Sequence, residues 1–207
     1  MRTSMFHGVG ILLLCAGAAG ACGGNPPATP TGPTVPLDPL VGHYSLTVTA
    51  GPACRTLPEI ARSRTYTASI ESRGADNYVV TLTDGTFLAD EQIGERTFIS
   101  HCSSSYGLGC NQFTASREGD QVRFRMAPNN ERFDDEFAGN GGSVVELIPP
   151  DNNRLGIQGT GLGRLDGTSI EASVDGRVWY CPARYSSFDE ECASCDHANL
   201  AMTFTRR

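Results

Sequence analysis

The stretch "HYSLTVTA", residues 43–50, decides the fold. Tyr44, Leu46, Val48 and Ala50 alternate with His43, Ser45, Thr47 and Thr49. A period of two puts successive side chains on opposite faces, which is the mark of a strand with one buried and one wet side. Tyrosine, valine and threonine also suit a pleated surface. The same beat returns in "RTYTASIE" (64–71), "NYVVTLT" (77–83), "QVRFRM" (121–126), "SIEASV" (169–174) and "LAMTFT" (200–205).

Working outward, weaker strand patterns fill the gaps at Gln112 to Arg117, Val144 to Ile148 and Arg154 to Gly163. Glu118-Gly119-Asp120, Pro150-Asp151-Asn152 and Asp166-Gly167 join neighbouring patterns closely enough for hairpins. The glycines of "GIQGTGLG" (156–163) imply bending or a close backbone approach. A short helix is expected near residues 57–62, where Thr56 and Glu59 have capping-box spacing and Pro58 suits a first turn. These patterns predict an all-β domain, an antiparallel up-and-down meander of about eight or nine strands. It closes as a barrel, or alternatively folds over as a sandwich, to bury its apolar face.

The N-terminal end reads as an export signal. Residues 1–21 hold Arg2, an apolar run beginning at Gly8, and small residues ending at Ala19-Gly20-Ala21. Cys22 follows, so the site resembles a bacterial lipobox with Ala19 in the place usually held by leucine. Cysteine parity agrees with lipidation. Eight cysteines are present, and seven remain once Cys15 leaves with the signal. Acylation of Cys22 leaves six, an even number for an exported protein. Residues 22–40 contain half of the twelve prolines. They predict a semi-rigid tether carrying the β-domain, residues 41–207, off a membrane surface in the bacterial cell envelope.

Oxidising surroundings turn the six cysteines toward disulfides. In "CASCDH" (192–197) Asp196 separates the second cysteine from His197, which breaks the haem-attachment pattern. No βαβ context surrounds the pair, as a thioredoxin-like motif requires. Zinc held by Cys192, Cys195, His197 and the His101-Cys102 pair is a minor alternative. Six cysteines allow fifteen pairings. If the sheet closes, the end of the first strand lies beside the start of the last, which favours Cys54–Cys195. Cys102 and Cys110 bracket a short loop and are expected to pair. Cys181 and Cys192 then restrain the connection into the last strand.

"CRTLPEIARSRTYTASI" (54–70) and "CDHANLAMTFTRR" (195–207) resemble a pattern in small bacterial envelope lipoproteins of unknown function. That resemblance implies a lipoprotein β-domain and carries no activity. Gly42-His43-Tyr44, with a closing strand that ends in arginine, is similar to the G-x-W element of lipocalins and avidins, tyrosine standing for tryptophan.

The chain carries a net charge of −7, and its sixteen cationic side chains are all arginine and mostly scattered. That balance argues against nucleic acid as a partner. No G-x-S-x-G, H-E-x-x-H or phosphate-binding glycine loop occurs, so no catalytic residue, cofactor or metal is expected. His43 is expected on a wet strand face. The acidic runs at Asp134 to Glu136 and Asp189 to Glu191 read as solvated loop charge rather than a calcium site. Trp179 and Tyr180 are the candidates for a ligand mouth. Two functions follow: a non-catalytic barrel holding a small apolar ligand, or a structural or protein-interaction module of the envelope with a filled core.

Overall fold

A computed structural model describes residues 38–88, 108–126, 144–183 and 192–207. Ten strands form one antiparallel sheet: β1 (Gly42–Thr49), β2 (Ser63–Gly74), β3 (Asn77–Leu82), β4 (Gln112–Glu118), β5 (Gln121–Met126), β6 (Val144–Ile148), β7 (Asn153–Asp166), β8 (Ser169–Cys181), β9 (Ala193–Asp196) and β10 (Leu200–Arg206). Eight of them close a barrel in the order β1-β2-β3-β4-β5-β7-β8-β10, and β10 returns to β1. The expected closure between first and last strands is therefore present, with Leu46 opposite Phe204 and Thr49 opposite Ala201.

The alternation does the work the sequence implied. Tyr44, Leu46, Val48, Tyr66, Ala68, Ile70, Val80, Leu82, Phe113, Phe124 and Phe204 are all buried, while His43 is exposed. The hairpin turns fall where the turn residues lie, at Gly119-Asp120, at 149–152 and at Gly167-Thr168.

Three features differ from the sequence reading. First, β8 runs on past the expected Val174 to Cys181 and β7 reaches Asp166, and their outer ends carry two strands outside the barrel, β6, itself an expected strand, and β9. β6 pairs with Asn153–Ile157 of β7, and β9 pairs with Arg177–Tyr180 of β8. Second, Ala193–Asp196, between Cys192 and the last strand and not expected as a strand, is strand β9. Its four residues carry no alternation strong enough to announce it, and only the prolonged edge of β8 makes it a strand. Third, the helix α1 (Glu59–Arg62) forms where expected, but no side chain caps it. Pro58, extended at ψ 152°, occupies the N-cap position, so Thr56 lies two residues too early to reach the first turn.

The glycine run explains how the barrel fits its aromatic contents. Gly159, Gly161 and Gly163 of β7 stand opposite Met126, Phe124 and Val122 of β5, which places all three on the inner face. A Cβ at Gly161 would lie 2.2 Å from the Ser173 carbonyl oxygen, and one at Gly159 would lie 2.5 Å from that of Asp175. Glycine is thus required by the close approach of β7 to β8.

Candidate functional site

Eight strands enclose an interior just wide enough for side chains. Here aromatic rings fill it. Phe124 stacks on Phe204 with centroids 5.1 Å apart and planes 10° from parallel. Tyr44 meets Phe204 edge-on at 6.0 Å, and Phe113 meets Phe124 at 6.3 Å. Each of these four side chains is 0% exposed. Such ring pairs add to area burial by about 0.5–1.5 kcal/mol each.

Both ends of the barrel are closed by polar groups around inward tyrosines. At the end where β1 begins, the Tyr44 hydroxyl donates to the Leu40 carbonyl at 2.8 Å. The Arg206 guanidinium lies 5.4 Å from the Tyr44 ring centroid and donates to the Val41 carbonyl at 3.1 Å and to the Pro39 carbonyl. Beside them the Tyr78 hydroxyl donates to Asp38 at 2.7 Å, and Arg117 reaches the same carboxylate at 3.5 Å. Burial, then the hydrogen bond to Asp38 and its charge, push the Tyr78 phenol up to about 12.

At the opposite end Glu146 of β6 is 2% exposed. Arg64 donates to it through Nε at 2.9 Å and through its second nitrogen, and the Tyr66 hydroxyl donates at 2.9 Å. Phe87 packs on Tyr66, and its backbone bridges to Glu146. A buried carboxylate needs such partners, because an unpaired one would be far costlier than the pair. Burial works against the Arg64 charge. The hydrogen bond and attraction of Glu146 outweigh it and hold the guanidinium above its ordinary range. Burial and the adjacent carboxylate raise the Tyr66 phenol far above its usual value. Sequence reasoning missed this cluster. The available signal was a lone carboxylate inside the apolar run "VVELI" and an arginine on the same strand face as Tyr66.

The predicted aromatic pair falls at this end. Trp179 is fully buried and belongs to a second small core with Leu88, Cys110, Val145 and Cys181. Its indole lies against Gly156, where a Cβ would come within 1.8 Å of the ring. Tyr180 is half-buried, and its hydroxyl accepts from Asn153 at 2.9 Å.

Two of the three expected disulfides are present. Cys54–Cys195 joins the turn after β1 to β9, with Cα atoms 5.4 Å apart. Cys181–Cys192 joins β8 to the start of β9 at 4.5 Å. The two cysteines of the CxxC element therefore have different partners. Cys110 is disulfide-bonded, and its expected partner Cys102 lies outside the described residues. Also outside are the signal segment, Cys22, His101 and both acidic runs. His197 faces Asp175 at 3.4 Å on the surface. Among the described residues, no three His, Cys, Asp or Glu side chains gather as a metal site. No described helix is long and apolar enough to cross a membrane.

The fold and its ends define a class: a closed eight-stranded antiparallel β-barrel with an accessory pair of strands. No family model, curated protein or solved structure matches the chain.

Proposed function

We propose that the protein is a lipid-anchored, non-catalytic module of the bacterial cell envelope that works through its outer surface around a filled core. The observation that carries this reading is the packing of Phe113, Phe124, Phe204 and Tyr44 against one another inside the barrel. It supports a structural or protein-interaction role over the alternative of a small apolar ligand held within. The tyrosine-centred networks at both barrel ends support the same reading. The disulfides fit an oxidising, exported setting. The likeness of residues 54–70 and 195–207 to envelope lipoproteins supports the same setting, and Tyr44 of the G-x-W-like element meets the closing arginine at one barrel end.

Thermal denaturation of the oxidised full chain with fatty acids and polycyclic apolar compounds tests the core of this reading. A ligand that binds only the native state must raise Tm. No shift is expected; a saturable rise would return the function to the barrel interior. Intact mass of the mature N-terminus tests the anchor separately, and an unmodified Cys22 thiol would remove it.

A further inference from the structure

A groove of about 520 Å³ runs along the outer face of β3, β4 and β5. Its register is explicit. Asn77, Ser116 and Arg123 lie side by side across the three strands, and so do Val79, Thr114 and Arg125. Arg73, near the end of β2, adds a third guanidinium, and Leu108 and Val79 give an apolar floor.

Four described arginines contrast with those of the groove. Arg64, Arg117, Arg164 and Arg177 each hold a carboxylate. Arg73, Arg123 and Arg125 are exposed, and among the described residues none has an ion-pair partner. No described carboxylate lines the groove. The nearest acid in register is Glu71, paired across to Val79 from β2. Three guanidiniums gathered in one concavity, with no carboxylate partner among the described residues, form a local positive site.

Geometry sets the ligand. Arg123 and Arg125 project from one strand face roughly 7 Å apart, two residues along a strand. Arg73 lies across the sheet, about three strand spacings or roughly 14 Å away. Guanidinium forks match carboxylate and phosphate oxygens. Between them Asn77, Thr114 and Ser116 offer amide and hydroxyl groups suited to ligand hydroxyls. A flat membrane surface meets only the rim of a concavity, whereas a slender chain can lie along its floor.

We propose that this groove binds an acidic oligosaccharide, a sugar chain bearing two or more carboxylate or phosphate groups. The site goes beyond the function proposed above and depends neither on acylation of Cys22 nor on what fills the barrel.

Calorimetric titration of the full chain with tri- and tetra-galacturonate, against neutral malto-oligosaccharides of equal length, tests it. The uronates are expected to bind and the neutral sugars not. Affinity should weaken with added salt, as partly exposed charge pairs do. The double variant Arg123→Gln/Arg125→Gln should lose roughly tenfold or more in Kd, as loss of charge-assisted hydrogen bonds implies. Arg177→Gln, at a paired arginine elsewhere, should bind as the parent does. Circular dichroism and Tm confirm that each variant is folded. Absence of uronate binding overturns the proposal. So does equal binding by the double variant, an equal loss in Arg177→Gln, or equal binding of the neutral sugar. Anionic phospholipid vesicles provide the last arm: binding to vesicles through these arginines without uronate binding would also overturn it, in favour of a membrane surface.

Discussion

Phe204→Ala removes the ring at the centre of the interior, between the stacked Phe124 and the edge of Tyr44. Phe204 is 0% exposed, so the whole ring is lost from a dry site. The transfer part of the cost is about 2 kcal/mol for a buried aromatic side chain. If the neighbours stay in place, a void of roughly 100 Å³ at about 24 cal/mol per Å³ adds about 2.4 kcal/mol. Together the loss is about 4 kcal/mol, within the range of about 3–5 kcal/mol for such truncations. Partial collapse is hindered here, because the β7 residues that face inward opposite β5 are Gly159, Gly161 and Gly163, which have no side chains to move in. Urea denaturation of the oxidised protein measures it. With m near 2 kcal/mol/M, the midpoint should fall by about 2 M at unchanged m. The new void should also admit benzene, which would raise the Tm of the variant and leave that of the parent unchanged. A loss under about 1 kcal/mol, or benzene stabilising both proteins alike, would refute the filled interior.

Further expectations follow from the ends and the staples. Removing Cys54–Cys195 by paired serines opens a loop spanning 141 positions and should cost up to about 5 kcal/mol by chain entropy. Removing Cys181–Cys192, separation 11, should cost only about 3 kcal/mol, so the order of the two urea midpoints is the check. Glu146→Ala leaves Arg64 and Tyr66 without their shared acceptor and should cost about 3–5 kcal/mol. The pair Arg64→Met/Glu146→Leu should recover most of that, and a double-mutant cycle finding simple additivity would contradict the coupling. Tyr78 has a folded pKa raised to about 12, above an unfolded value near 10. Its contribution is fully present below pH about 10 and is lost as pH rises toward 12, so Tyr78→Phe should flatten the alkaline stability profile in that window.

What could be read from the sequence is what rests on local period and on closure. Tyr44, Leu46 and Val48 announce their strand by alternation alone. Closure then puts the end of β1 beside the start of β10, from which Cys54–Cys195 follows. What could not be read depends on partners distant in the chain. Ala193–Asp196 becomes a strand only because β8 runs on past Gly176 to Cys181 and offers an edge. Glu146 and Arg64, 82 positions apart, meet only after β6 folds back beside β7. The groove arginines illustrate the same limit. Arg123 and Arg125 look like ordinary wet positions of an alternating strand, and that no described carboxylate lines their groove emerges only when β3, β4 and β5 lie side by side.

The barrel interior is occupied by its own side chains. Xenon enters dry apolar cavities, so diffraction from xenon-pressurised crystals of the oxidised protein tests it most directly. No xenon is expected among Tyr44, Phe113, Phe124 and Phe204. A xenon atom enclosed between those rings would contradict it.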